Sequence, residues 1–359
     1  MLSSVELTQL QTFDMIYYNS YIYIHHLYEV HLQGVHFMGN WSNIFSFSTS
    51  WNVSRHNSGR DMVEEILGLG FNKIELNYRV TWEMAKEILP LVERGIISIT
   101  SLHNVFPRTD NPDFSPDSVL LAHTDPVKRK EAVEITKNTV DMAALFGAGA
   151  VVLHTSEIPT PKEYDSILKE LYLQGKRDRA EYESIRKEFM EYRRAVGHKY
   201  VELTCRSLEE ICDHIGKKNY SIILGIENRA RCHQIPDFNQ AEYMLELLKH
   251  LPVYFWYDIG HAVMMDALGI LNNPDGLKNI RHKIFGMHIH DTVGLTDHCC
   301  PYASGDEFDK YLEYIKDAKI KVLELGRHES RENIIKSVDL LYERLMASEK
   351  RRANENQQQ

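Results

Sequence analysis

The sequence predicts an α/β fold, a single (β/α)8 barrel. Eight short apolar runs can be picked out from residue 44 onward, and stretches with helical periodicity separate them. Strict alternation of strand and helix implies a parallel sheet with right-handed crossovers. Eight such units favour a closed barrel over an open sheet. The first run is not followed by a GxGxxG motif, which argues against a dinucleotide-binding fold.

The predicted strands share an apolar, β-rich composition that is typical of strands buried on both faces. In chain order they are IFSFSTSW (44–51), KIELNY (73–78), IISITSLH (96–103), AVVLHT (150–155), SIILGIEN (221–228), VYFWYDIGH (253–261), KIFGMHIHD (283–291) and KVLELG (321–326). Several helical segments between them, such as GRDMVEEILGLG and TWEMAKEILPLVERG, end in glycine, the residue favoured just past a helix C-terminus.

Two segments interrupt this alternation on the face where barrel active sites lie. Residues 104–126 are rich in Pro and Asp and follow the third strand. Residues 157–200 form a charged insertion with a helical pattern after the fourth strand. A solvated helical hairpin accounts for that charge. The functional alternatives are a lid over the site or a contact in a homo-oligomer.

The two ends of the chain lie outside the predicted barrel, which spans residues 41–346. Residues 1–40 form an extension rich in Tyr and His that lacks the pattern of a signal peptide. We expect either a segment translated from upstream of a start at Met38 or a short helix on the outside of the barrel. Residues 347–359 (ASEKRRANENQQQ) predict a disordered tail.

Composition narrows the range of partners. The 359 residues carry a formal net charge of −10, so the chain has no global basic field to hold a polyanion, and a nucleic-acid partner is disfavoured. No run of about 18 apolar residues is present, so we expect no membrane span. The five cysteines are odd in number and lack the spacing of a disulfide framework, which favours a reducing, cytoplasmic location.

Four acidic and histidine side chains recur at the spacing of one barrel unit. Glu227, Asp258, His288 and Glu324 each follow an apolar run, with gaps of 31, 30 and 36 residues. One strand–helix unit takes about 30 residues, because about 250 residues make eight units. Buried carboxylates that converge in this way need a counter-charge. The array therefore predicts a site for Mn²⁺, Mg²⁺, Co²⁺ or Zn²⁺, and the alternative is an inherited cluster without activity.

Further polar residues fall on the same face of the predicted barrel. They are His103 and His154 at the ends of the third and fourth strands, Arg229, His261, His290, Asp297 and His298. His103 and His154 are either pocket-facing ligands or neutral, hydrogen-bonded histidines. His261 is a candidate second-metal ligand or a donor to a substrate oxygen. Arg229 is a candidate for binding a hydroxyl or phosphate, with a rim salt bridge as the alternative.

His290 alternates with His288 on the same strand and so shares its face. We expect it either to support the ligands from behind or to be an ordinary hydrogen-bonded pocket residue. His123 lies in the Pro/Asp-rich loop and receives no role.

Eight motifs occur in an order that carries a family resemblance. They are SFSTSWN, GFNKIELNY, SLHNVFP, GAGAVVLH, GIENR, WYDIGHA, MHIHDTVGLTDH and VLEL. Over residues 44–345 the chain resembles the xylose isomerase-like TIM-barrel superfamily, which includes sugar and sugar-phosphate isomerases, epimerases and the apurinic endonucleases. The resemblance implies that Glu227, Asp258, His288 and Glu324 hold a metal. It also implies that the two glutamates act as an acid/base pair.

The endonuclease members of that superfamily carry additional zinc ligands. These match His103, His154 and His261, and approximately Asp297 with His298, as a possible second metal site. In the endonucleases one residue separates the last two ligands, whereas here they are adjacent in LTDHCC. The segments GIENRARCHQIP and YDIGHA are also more similar in sequence to the sugar isomerase branch. This resemblance makes His261, Arg229 and His103 candidates for binding substrate.

The sequence thus predicts a divalent-metal-dependent isomerase or epimerase that acts on a sugar, a sugar phosphate or a related polyol. The alternative is a zinc-dependent phosphodiesterase of the apurinic endonuclease type. A sugar-binding protein without catalysis is a third interpretation, disfavoured because binding alone does not require two opposed glutamates.

Overall fold

Eight parallel strands and the helices between them form the body of the protein in a computed structural model. The structure describes residues 40–109, 111, 115–117 and 119–357, with side chains for the described residues from 41 to 350. The strands, β1 to β8, are Ser46–Ser48, Lys73–Leu76, Ser98–His103, Ala150–Leu153, Ile223–Glu227, Val253–Asp258, Ile284–Ile289 and Ile320–Leu323. Each overlaps a predicted strand. Except for Asn40, the extension at residues 1–40 lies outside the described residues.

The strands close into a barrel because β1 pairs in parallel with both β2 and β8. Every other neighbouring pair in the ring is also parallel and consecutive in the chain. Asp258 at the end of β6 lies in register with His288 on β7. The predicted (β/α)8 barrel is confirmed, and its closure brings the ends of distant strands together at one face.

Helices lie between and after the strands, and several begin at a residue whose side chain caps the first turn. They are α1 to α10: Gly59–Leu67, Trp82–Glu93, Pro126–Leu145, Tyr164–Leu173, Ala180–Lys218, Phe238–Leu247, Ile259–Ala267, Asn273–Ile280, Leu312–Asp317 and Arg331–Gln357. Ser58, Thr81 and Asp125 accept hydrogen bonds from first-turn N–H groups of α1, α2 and α3. Asp237 forms a capping box with Gln240 at the start of α6.

The charged insertion folds as the predicted helical hairpin, built from α4 and the first half of α5. It has a small core, in which Tyr164, Tyr182 and Phe189 pack with Met264 of α7 and with Leu268 directly after that helix. α5 runs without a break across the predicted boundary at residue 200, because its second half is the barrel helix that precedes β5. The hairpin therefore stands beside α7, which begins directly after Asp258.

Two small antiparallel sheets hold the loops at the carboxyl ends of the strands. Ser156–Glu157 pairs with Gln234–Ile235, joining the loops that follow β4 and β5. Asp291–Val293 pairs with Thr296–Cys299 to form a hairpin after β7. That hairpin carries Asp297 and His298 to the active-site face.

The last helix differs from the prediction for the C-terminus. α10 extends to Gln357, so the structure has helix over most of residues 347–359, where composition predicts disorder. The segment is rich in Lys, Arg, Glu and Ala, which are good helix formers, so a polar composition does not prevent the helix from continuing. Among the described helices, none is long and apolar enough to cross a membrane. All five cysteines are free, and the cytoplasmic location stays a prediction.

Candidate metal centre and active site

The four side chains predicted from their spacing converge at the carboxyl end of the barrel. Their ligand atoms all lie within 4.8 Å of one another. His288 Nδ1 is 2.9 Å from Glu227 Oε1, 2.9 Å from Glu324 Oε2 and 3.5 Å from Asp258 Oδ2. Donors at right angles around an ion at 2.1 Å are about 3.0 Å apart. The spacing of these atoms therefore suits the shell of one divalent cation.

The charges of this cluster also suit a cation. Glu227, Asp258 and Glu324 are buried. Burial opposes their ionisation, but Arg229 and His154 hold the pKa of Glu227 well below its usual range. His261 and His290 do the same for the pKa of Asp258. Three buried carboxylates and one imidazole form the mixed oxygen and nitrogen donor set that Mn²⁺, Mg²⁺, Co²⁺ and Zn²⁺ accept.

His290 orients Asp258. The backbone N–H of His298 donates to His290 Nδ1 at 3.0 Å, so in the neutral ring the proton is on Nε2. That nitrogen lies 3.0 Å from Asp258 Oδ1, which also accepts the backbone N–H of His261 at 2.7 Å. Both ring nitrogens of His290 are therefore engaged. Of the two roles that the sequence left open for His290, this geometry favours the one in which His290 supports the ligands from behind.

Glu75 is a member of the site that sequence reasoning missed. It lies on β2, is fully buried, and both of its carboxylate oxygens are 3.2 Å from His288 Nε2. Ser101 Oγ donates to Glu75 Oε2 at 2.7 Å. His288 Nε2 therefore donates to Glu75, and Nδ1 is the ring nitrogen that would bind a cation in the cluster. The available signal was an acidic residue inside the apolar run KIELNY.

His103 and His154 face the same pocket, as predicted. Their Nε2 atoms are 3.9 and 3.3 Å from Glu227 Oε2, and the two rings lie 4.6 Å apart. Burial lowers the pKa of His103 to about 3, so its imidazole is neutral at neutral pH. His154 Nδ1 is bound to Asp117 Oδ1 at 3.1 Å. Asp117 belongs to the Pro/Asp-rich loop, which thus reaches over the pocket.

Arg229 forms a salt bridge within the site. Its guanidinium donates to Glu227 Oε2 at 2.6 Å and lies 3.7 Å from Asp117 Oδ1. The sequence left open substrate binding and a rim salt bridge; the salt bridge observed lies inside the site instead, with Glu227, and substrate binding stays a prediction. The space among Asp117, His154 and Arg229 is about 10 Å³, roughly one water.

The other predicted residues, His261, Asp297 and His298, lie together beside the first cluster. His261 Nδ1 is 3.1 Å from the Asn228 carbonyl, and His298 Nδ1 is 2.9 Å from the Glu324 carbonyl. Both contacts place the ring proton on Nδ1, which leaves the Nε2 lone pairs free. Asp297 Oδ2 is 3.9 Å from His261 Nε2 and 3.7 Å from His298 Nε2. In this tautomer the outer nitrogen of His261 accepts, so it suits a cation better than the predicted donation to substrate.

Comparison with known proteins agrees with this geometry. Residues 63–344 match the sequence profile of the xylose isomerase-like TIM barrel. The chain belongs to this family. The sequence comparison with curated proteins finds no match.

Solved structures with the same fold include several sugar epimerases. A D-tagatose 3-epimerase-like protein is 21% identical with a TM-score of 0.57, over 86% of this chain and 98% of the other. L-ribulose 3-epimerase is 13% identical with a TM-score of 0.59, over 86% and 96%. The apo form of 3-keto-D-glucoside 4-epimerase from E. coli is 12% identical with a TM-score of 0.56, over 83% and 98%. At such identities the likeness establishes the fold, and the reaction has to be argued from the site.

Proposed function

We propose that the protein is a divalent-metal-dependent isomerase or epimerase acting on a sugar, a sugar phosphate or a related polyol. One observation carries the proposal: two buried glutamates, Glu227 at the end of β5 and Glu324 directly after β8, place carboxylate oxygens 2.9 Å from the same nitrogen of His288. They reach this point from well-separated strands of the ring. A substrate carbon held between them would meet a carboxylate on either side. The names of the neighbouring structures support a carbohydrate substrate.

The proposed chemistry is a proton transfer between these carboxylates. A bound divalent ion supplies Lewis-acid polarisation of a carbonyl oxygen. One glutamate removes the proton next to the carbonyl, and the electron pair of the broken C–H bond passes into an enediolate. The other glutamate returns a proton, to the opposite face of the same carbon in an epimerase. Asp258 and His288, which are oriented by His290 and Glu75, would complete the ligand set.

The test is solvent isotope exchange with the purified protein. We expect about one divalent ion per chain at the four-donor cluster and deuterium uptake from D₂O at the carbon next to the carbonyl of a ketose or aldose. Metal removal by a chelator should abolish exchange, and adding the ion back should restore it. A metal-loaded chain that exchanges no carbon-bound proton in any sugar of a broad panel would contradict the proposal.

A phosphodiesterase of the apurinic endonuclease type remains the second candidate, because the pocket holds more histidine than one ion needs. The Nε2 atoms of His103 and His154 lie 3.9 and 3.3 Å from Glu227 Oε2. The Nε2 atoms of His261 and His298 carry free lone pairs and lie 3.9 and 3.7 Å from Asp297 Oδ2. Such an array could hold further zinc ions, which generate a hydroxide nucleophile.

The His298→Ala variant separates the two candidates. The loss should matter little for a single-metal isomerase and should be severe if additional zinc ions share the pocket. Cleavage of abasic DNA by the purified chain, lost in His298→Ala, would establish the phosphodiesterase instead. Deuterium exchange that persists in this variant would favour the isomerase.

A further inference from the structure

Two loops at the carboxyl ends of β7 and β8 bring together a second set of ligand atoms. Cys299 ends the hairpin strand Thr296–Cys299, and His328 and Glu329 lie in the turn that follows β8. One ligand atom from each of the three lies within 4.8 Å of the others. We propose that Cys299, His328 and Glu329 bind a zinc ion at a site that shares no residue with the four-donor cluster in the barrel.

Two of the distances are close to those in the shell of a tetrahedral ion. Cys299 Sγ is 3.9 Å from His328 Nε2, and His328 Nε2 is 3.7 Å from Glu329 Oε1. Ligands at 2.0–2.3 Å on the corners of a tetrahedron are roughly 3.3–3.8 Å apart. A sulfur-to-nitrogen distance of 3.9 Å is long for a hydrogen bond but close to the edge of a zinc tetrahedron.

The backbone around these side chains positions them for a shared ligand. A Cβ on Gly326 would lie 2.4 Å from Cε1 of His328, so the ring can occupy this place only because residue 326 is glycine. The N–H of Glu329 donates to the Gly326 carbonyl and closes a tight turn. The N–H of Cys300 donates to Glu329 Oε1 at 2.8 Å and orients the carboxylate, as outer partners of metal ligands do.

The type of ligand selects the ion. A thiolate with an imidazole favours zinc over Mg²⁺ or Mn²⁺, which prefer oxygen. Cys299 and Glu329 are largely buried and His328 is half-exposed, so solvent reaches the cluster from one side. Three protein ligands leave a fourth position for water. A thiol–imidazole contact alone would not account for the third, oriented carboxylate.

Zinc at this place would join the loop after β7 to the loop after β8. The same two loops are already tied by the N–H of Gly326, which donates to the His298 carbonyl at 2.8 Å. The hairpin after β7 carries Asp297 and His298, so the bound zinc would hold these two side chains beside the four-donor cluster. This role does not depend on the reaction proposed above.

The test is cobalt substitution in the full-length protein. Co²⁺ bound to a thiolate gives a sulfur-to-cobalt charge-transfer band in the near ultraviolet, and the barrel cluster contains no sulfur. We expect the wild-type chain to show the band, Cys299→Ser to lose it, and the matched control Cys300→Ser to keep it. His328→Gln should weaken Co²⁺ binding roughly 10–100-fold or more, measured by titration of the same band, to which the barrel cluster does not contribute.

The outcomes are decisive in either direction. A wild-type chain without the band, or a band that survives in Cys299→Ser, overturns the proposal, because the remaining cysteines would then be its source. If Cys299→Ser fails to fold, His328→Gln decides the matter, since its ring is half-exposed and its replacement leaves the core intact. An unchanged cobalt affinity, measured from the band in that variant, also overturns the proposal. The result is independent of deuterium exchange, so it can fail while the isomerase assignment stands.

Discussion

His288 contacts four carboxylates, which lie on or directly after four different strands of the barrel. Its Nε2 atom faces Glu75, while its Nδ1 atom faces Glu227, Asp258 and Glu324. The carboxylate at Nε2 therefore orients the ring, and the three carboxylates at Nδ1 would surround a cation. A histidine held from behind by a carboxylate binds metal more tightly, because its tautomer and ring plane are set in advance.

Glu75→Ala should weaken metal binding by about 10–100-fold, the usual cost of losing the outer partner of a ligand. Glu75→Gln keeps an oxygen that accepts from His288 Nε2, so it should recover part of the affinity. Calorimetric titration of the metal-free chain measures both variants. Equal affinity in wild type and Glu75→Ala would show that Glu75 does not position His288.

Glu227→Gln and Glu324→Gln should each lower turnover by about 10²–10⁴-fold, since each removes one of the two proposed proton-transfer groups. Circular dichroism should show an unchanged fold, because the substitutions conserve shape. Glu246→Gln is the matched control: this carboxylate is exposed and pairs with Lys249 on the surface. Full activity in either site variant would exclude that glutamate from the chemistry.

Among the elements, α5 has two roles along its 39 residues. Its second half is a barrel helix, and its first half carries Arg193 to the loop that follows β5. The guanidinium of Arg193 is buried and donates to the carbonyls of Cys232 and Gln234. It also binds Asp237 Oδ2 and Gln240 Oε1 at the start of α6. The charged insertion thereby fixes the loop that begins with Arg229.

Arg193→Met should destabilise the protein by about 1–3 kcal/mol, because two backbone carbonyls lose their donors inside the structure. Arg194→Met, the neighbouring and exposed arginine, should change stability by no more than about 0.5 kcal/mol. Urea unfolding followed by circular dichroism compares the two. Similar midpoints for both variants would mean that the Arg193 contacts contribute nothing net.

At the scale of the whole molecule, the barrel closes around a large side chain. Trp256 lies in its interior with Ala150, Val152 and Val322, below the site. Gly225 and Gly286 stand on the two strands beside it, where a Cβ would lie 2.8 and 2.2 Å from the ring. The absence of side chains at these two positions makes room for the indole, and the filled interior supports the ligands above it.

Gly286→Ala should therefore cost about 1–3 kcal/mol, the usual penalty for overpacking a dense core. Gly149→Ala is the control, because a Cβ there meets nothing within 4 Å, and we expect a change between zero and a gain of about 1 kcal/mol. Chemical unfolding gives both values. If Gly286→Ala is as stable as wild type, the interior around Trp256 is packed loosely enough to accept a methyl group.

The sequence alone determined the barrel and the four-donor cluster, because both depend on local and periodic signals. Apolar runs identify strands, intervening amphipathic segments identify helices, and a repeat of about 30 residues places Glu227, Asp258, His288 and Glu324 at successive strand ends. The sequence also predicted that His103 and His154 face the pocket. At the C-terminus, composition predicts disorder where the structure continues α10 to Gln357.

Only the tertiary structure decided how these residues are paired. Glu75 and His288 are 213 positions apart, and no local pattern links them. Asp117 lies in an irregular loop whose path over His154 depends on packing, and the salt bridge of Arg229 depends on where Glu227 lies in the closed ring. The proton positions on His288, His290 and His261 follow from neighbours contributed by other strands and loops. A sequence specifies which groups reach the pocket, but contacts between distant segments assign each group its partner.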